Sequence, residues 1–454
     1  LFDDDLPDLP EESSEEFKPD RYLAAVAERR KAAIADVVEQ DGIDGVLELV
    51  RAAAYPWFVG VAVADAGAES VGRVLLDNID SDDARLVAAA SAWATQRGAD
   101  DWGWIERAVE DLRPRPLAAA RVLLTSNNLT AAWAVAEQHE SVAAAYWREF
   151  NPYGRGQGFP LAEEASQRLL SHDRPRAALM LMNLYAEVVQ IDRHLVVEGL
   201  ERFLGLPDDH LDQFRVDAHE IERLLDYARG GDVDEERLAL LEWRLRPALR
   251  FDAHSPTLER KLAREPGFFV EVLSMVFKPR HREPEREVPS NVASNAYRVL
   301  DDWSVVPGTR VAGEAIDVDA LNRWIDEAMR LSEEADRLEI ALDQIGKVLA
   351  KAGGDDDGSW PAQPVRDVIE RVSRSELDDG FRVQVFNSRG VMTRGLMEGG
   401  DQERERSAYY AQLAERARDG WPRTGAILRS IAEGFAGDAR QFDEQAERLR
   451  EGLD

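Results

Sequence analysis

The residues that could do chemistry in this chain are few and scattered. Its seven histidines are His139, His172, His194, His210, His219, His254 and His281. None falls in the His-Glu-x-x-His spacing that sets two imidazoles on one helical face around a metal. Asn78, Asp80 and Asp82 copy the first half of a calcium loop. Asp83, however, stands where the sharp turn needs glycine, and Ala89 where the closing glutamate belongs. Asp355 to Asp357 fail the same template, so both acidic runs read as solvated turns. The glycines of Asn151 to Gly158 lack a preceding strand and a Gly-Lys-Ser/Thr ending, so they make a helix–helix loop rather than a phosphate cradle. There is no cysteine, which excludes disulfides, thiol catalysis and Cys-ligated metals. There is no Gly-x-Ser-x-Gly either. Among 88 Asp and Glu residues no carboxylate pair stands out. No catalytic residue, metal or cofactor is expected.

Three features carry weaker signals. The basic run Lys278 to Arg282 could touch nucleic acid, but it has no interleaved aromatics and is followed at once by Glu283, Glu285 and Glu287, so it reads as a solvated loop. Trp360-Pro361 and Trp421-Pro422 look like hydrophobic staples, an aromatic ahead of a first-turn proline. The segment Gly380 to Arg404 is the most distinctive. Phe381, Val383 and Val385 alternate as in a strand, yet Phe381 and Val385 are also four apart as on a helix, and periodicity leaves both open. Gly390 and Gly399-Gly400 would supply positive φ at a corner. There Asn387, Arg389 and Arg394 would present donors to a ligand or protein partner.

The elements that must position these residues are helices. Ala and Leu dominate the 454 residues, and alternating Val/Ile/Thr runs bounded by hairpin turns are scarce. Residues 1–19 are acidic and without period, and read as a disordered lead. From Asp20 to about residue 250, breaks such as Asp41-Gly42, Pro56, Gly98 and Asn127-Asn128 leave room for one short helix each. Arg115-Pro116-Leu117-Ala118-Ala119 is echoed by Arg174-Pro175-Arg176-Ala177-Ala178, each opening a helix on proline. Leu179 to Met182 is apolar all round, as a helix sandwiched in a stack would be. The expected architecture is all-α: a solenoid-like helical repeat array over 20–250, then a C-terminal helical domain over 251–454. The stretch from Asp319 to Leu349 holds one long helix or two.

The formal net charge is -32, which repels nucleic acid and anionic lipid at long range. Mean hydropathy is -0.41, and the longest apolar stretch, Tyr55 to Ala64, is far short of the roughly 20 residues of a membrane span. A cytoplasmic location is expected. The opening Leu1 and the acids behind it suggest a piece of a longer protein with upstream domains.

Several motifs of the last half resemble the C-terminal part of very large bacterial proteins with long helical arrays. They are Pro266-Gly267-Phe268-Phe269-Val270 through Phe277-Lys278-Pro279-Arg280, Asp302-Trp303 with Pro307-Gly308-Thr309, Phe386 to Val391, Glu398-Gly399-Gly400, and Trp421-Pro422-Arg423-Thr424. Some of those proteins are similar to STAND-type NTPases and other antiviral-defence proteins. The resemblance implies that this chain is the sensor end of such a protein. It transfers no catalytic residue. The expected function is therefore non-enzymatic recognition of a protein partner. The alternatives are an enzyme with a site around Asn387–Arg394 and a purely structural oligomerisation scaffold.

Overall fold

The computed structural model describes residues 1–4, 7, 19–153, 158–207, 214–249, 254–284, 286–309, 314–388 and 399–450. Among them the chain is all-α, with twenty-two α-helices, one 3-10 turn at Arg246–Ala248 and no strand. It divides into two compact units, Leu1–Val216 and Asp217–Asp454. The division thus falls one helical hairpin earlier than the composition suggests.

Unit 1 contains α1 (Pro19–Ala52), α2 (Pro56–Asp65), α3 (Glu69–Asp77), α4 (Ala84–Gly98), α5 (Trp102–Leu112), α6 (Pro116–Leu124), α7 (Leu129–Ala136), α8 (Glu140–Glu149), α9 (Ala162–Ser171), α10 (Pro175–Val189) and α11 (Arg193–Leu204). Asp41-Gly42 does interrupt the helical run: Gly42 takes a non-helical φ 67° and ψ -153°, and α1 is two helical segments joined across that kink. The lead is not loose where it is described. Phe2 is buried. The Arg30 guanidinium donates to the Leu1 and Asp4 carbonyls at 2.9 and 2.7 Å, and the Tyr22 hydroxyl donates to the Pro7 carbonyl at 2.6 Å.

Unit 2 contains α12 (Ala218–Arg229), α13 (Glu235–Leu245), α14 (Pro256–Arg264), α15 (Pro266–Val276), α16 (Ser290–Asp302), α17 (Val318–Glu334), α18 (Leu338–Leu349), α19 (Gln363–Val372), α20 (Ser375–Asn387), α21 (Asp401–Ala417) and α22 (Pro422–Arg450). The stretch from Asp319 to Leu349 is therefore two helices, turned at Asp336 with φ 58°. Its core is continuous from Ala239 to Phe435 and is centred on Phe269, Trp303 and Trp324, whose rings lie 5.3–5.7 Å apart. In both units the strong packings join helices no more than three positions apart in the chain. Such sequence-local packing is the property that stacked helical arrays share.

Helix ends are held by charged side chains from other helices. The last carbonyls of a helix lack intrahelical partners and carry the negative end of its dipole, so a cation there satisfies both. Arg85 donates to the Arg51 and Ala53 carbonyls closing α1, at 2.7 and 2.8 Å. Arg115 donates to the Asp77 carbonyl closing α3 at 2.8 Å. Arg174 donates to the Trp147 and Phe150 carbonyls closing α8, the latter at 2.9 Å, and Arg202 to the Leu170 carbonyl of α9 at 2.9 Å. The two Arg-Pro echoes thus share a job: proline starts a helix and the arginine before it ties off an earlier one. In unit 2, Arg337 reaches the Phe277 carbonyl at 2.7 Å and Lys351 the Trp303 carbonyl at 2.7 Å. Leu179 to Met182 are all buried in α10, as their all-round apolarity requires.

Arg174 is buried and Arg115 is more than a third exposed. Arg174→Ala should therefore destabilise by about 2–3 kcal/mol, as loss of hydrogen bonds to a buried charged group does. Arg115→Ala should cost less than about 1 kcal/mol. Urea unfolding followed by circular dichroism measures both, and equal losses would contradict this account.

Candidate functional site

The sequence points first to the corner after α20. The helical period prevails over the alternation: Phe381 and Val385 are buried in α20 while Val383 is 41% exposed. Two glycines let this helix lie close on its neighbour. A Cβ on Gly380 would lie 1.9 Å from the Asp343 carbonyl oxygen, and one on Gly346 2.1 Å from that of Leu377. Backbones of α18 and α20 cross in direct contact, which a helix of this sequence allows. Asn387 is the exposed last residue of α20. Arg389 and Arg394 lie outside the described residues. Gly390 also lies outside them; Gly399 does take positive φ, but Gly400 does not, and a Cβ there would meet the Ala439 carbonyl at 2.3 Å.

The other residues singled out for chemistry are engaged in holding the fold. Asp80 pairs with Arg115. Asp355 pairs with Arg366 and accepts from the Gln363 amide at the start of α19, at 3.1 Å. Trp421-Pro422 does open α22, whereas Pro361 precedes α19 by two residues and begins no helix. Trp360 packs on Phe381 and Tyr410 instead. The basic run Lys278 to Arg282 docks on the turn between α17 and α18, beside a cavity of about 730 Å³. There the His281 amide donates to the Asp336 carboxylate at 2.6 Å, and the His281 Nδ1 lies 2.8 Å from its other oxygen. Arg280 pairs with Glu339. The hydrogen bonds from His281 hold the Asp336 carboxyl below its ordinary value. Among the described residues no three His, Asp or Glu side chains converge as a metal would need, and no helix is long and apolar enough to cross a membrane.

A different surface of unit 2 has the makings of a binding site. An open cleft of about 230 Å³ lies between α13, α14 and α15. One wall is the α13 stripe Glu236, Ala239, Leu240 and Trp243. The other is the α15 stripe Phe268, Glu271 and Met275. Leu258 and Lys261 of α14 form the floor. Leu240 is 59% exposed. Lys261 lies 5.3 Å over the Phe268 ring and is bound to Glu236, with Glu265 at 3.4 Å. These carboxylates outweigh its desolvation, so its ammonium is held above the usual lysine value.

The floor helix is fixed by a buried carboxylate. Ser255 precedes α14 without capping it. Instead Glu242 of α13, fully buried, accepts from the Thr257 and Leu258 amides at 3.1 and 3.0 Å, and Arg229 neutralises it at 2.8 Å. The α22 start is held alike: Glu370 accepts from the Arg423 and Thr424 amides at 3.1 and 2.8 Å. Sequence reasoning missed both glutamates, since nothing distinguishes them from the acids around them. The cleft did leave a trace: α13 and α15 carry apolar residues on more faces than one core can cover.

No protein-family model matches this chain, and comparison with curated proteins and with solved structures finds no match.

Two outcomes test the geometry. Glu242→Ala strands Arg229 and the α14 amides and should cost about 3–5 kcal/mol, the scale for breaking a buried ion pair. Glu242→Gln, which keeps an acceptor, should cost less. A loss below about 1 kcal/mol for the alanine variant in urea unfolding would contradict the capping role. A depressed aspartate pKa adds stability above the unfolded value of about 3.9, which is lost as pH falls through the lower folded value. The His281 amide should therefore stay protected near neutral pH and lose its protection below about pH 4. The Asp336 carboxyl, followed by carbon NMR, should titrate below that value; a midpoint at or above it would contradict the contact.

Proposed function

We propose that this chain is a non-enzymatic helical-repeat recognition module that binds a protein partner. The observation that carries this reading is the cleft of unit 2, where Leu240, Trp243, Phe268 and Met275 offer apolar and aromatic surface to solvent between charged rims. Buried aromatic anchors with a polar surround are what protein recognition uses. The sequence-local packing of the helices supports the array part of the reading. Of the acids whose spacing drew attention, Asp80 is paired with Arg115 and Asp355 holds the start of α19. The motifs around Phe268, Trp303 and Trp421 extend the proposal to the sensor end of a larger bacterial defence protein acting in the cytoplasm. The exposed corner at Asn387 is a second contact in this reading.

A photo-crosslinking amino acid placed at Leu240, at Asn387 and, as a control, at exposed Glu187 tests it in host cells, with and without phage infection. A discrete covalent adduct from Leu240 that Glu187 does not give is the expected result. An adduct from Asn387 alone would keep recognition and move it to the corner. No adduct from either position in either condition would overturn the recognition reading.

A further inference from the structure

We infer that the cleft between α13 and α15 receives a basic amphipathic helix of the partner protein. The inference rests on the recognition reading above and names the class of partner. Its geometric basis is the spacing of the walls. Glu236, Leu240 and Trp243 are separated by four and three residues on α13, and Phe268, Glu271 and Met275 by three and four on α15. Each wall is therefore one face of its helix. The two faces stand apart with only the side chains of Leu258 and Lys261 between them at the bottom. Two faces flanking an unfilled slot are the complement of a third, which is how an amphipathic helix docks in a groove. The volume of about 230 Å³ exceeds the roughly 150 Å³ that takes a benzene ring, so a large apolar side chain of the partner fits in the slot.

Charge selects the kind of helix. Lys261 is the cation of the cleft, and it is already bound by Glu236 and Glu265 while its side chain is only 15% exposed. Glu271 is exposed on the opposite rim. The cleft lining thus holds two carboxylates, Glu236 shared with Lys261 and Glu271 on the opposite rim, to one ammonium, and the chain's net charge of -32 adds a long-range attraction for cations. An arginine or lysine one helical turn from the inserted apolar side chain reaches Glu236 or Glu271. An acidic helix meets the same rim with like charge.

The test uses the whole chain and a fluorescent helical peptide of about 18 residues, five turns, built from Leu, Ala and Arg with one central Trp. Its counterparts carry Glu in place of Arg, or the same composition scrambled to destroy the apolar face. Anisotropy is read at about 0.15 M salt, where screening over about 8 Å removes non-specific attraction. The basic amphipathic peptide should bind, and the acidic and scrambled peptides should not. Leu240→Arg should weaken binding by at least about tenfold, and Glu271→Lys by about threefold to tenfold, amounts worth about 1.4 and 0.7–1.4 kcal/mol. Both positions are exposed, so both variants should keep the wild-type melting curve. Absence of binding by the basic peptide, equal binding by the scrambled one, or indifference to Leu240→Arg overturns the inference. An adduct from a crosslinker at Leu240 in cells, combined with failure of the basic peptide, would overturn the partner class alone and leave the recognition reading standing.

Discussion

Many helix ends of this chain are held by charges contributed from elsewhere in the sequence. An α-helix leaves amides exposed at its start and carbonyls at its finish, and short helices have proportionally more of both. Here cations close the finishes: Arg85 on α1, Arg174 on α8, Lys351 on α16. Carboxylates from other helices close the starts of two proline-opened helices, Glu242 at α14 and Glu370 at α22. Each such contact joins two helices while satisfying one of them. It does for direction and register what apolar packing, which is non-directional, does poorly.

This constraint changes the meaning of the composition. A chain with 56 basic and 88 acidic residues invites a search for charged active sites, and the acidic runs and the basic loop are where that search begins. The structure finds those residues bound to one another across helix junctions. Asp355 holds both Arg366 and the start of α19, and the Lys278 to Arg282 loop is pinned to the α17–α18 turn through Asp336. The slot that α13 and α15 leave above α14 is lined mainly by apolar side chains, with Glu236, Lys261 and Glu271 among them.

Close crossings add a second way of fixing one short helix on another. Where α18 meets α20, Gly346 and Gly380 each remove a Cβ that would strike the facing backbone. The contact brings the buried face of α20, with Phe381 and Val385, fully into the core. The segment that alternates as a strand would is a helix, with Phe381 and Val385, four apart, on its buried face. Its last residue, Asn387, is left exposed at the end of α20.

The all-α class, the proline-started helices at Pro116 and Pro175 and the burial of Leu179 to Met182 were all legible in the sequence alone, because they rest on local rules: period, punctuation and the missing proline amide. The start of α22 at Trp421-Pro422 was legible for the same reason. The capping partners were not. Glu242 lies 15 residues before the amide it caps and Glu370 lies 54 before its own, and in so acidic a chain no local pattern marks one glutamate from the next. The glycine crossings, the cleft and the docking of the basic loop were likewise decided only by tertiary structure. Each depends on which helix faces which, and an apolar or charged stripe on one helix does not specify its neighbour until the others have packed.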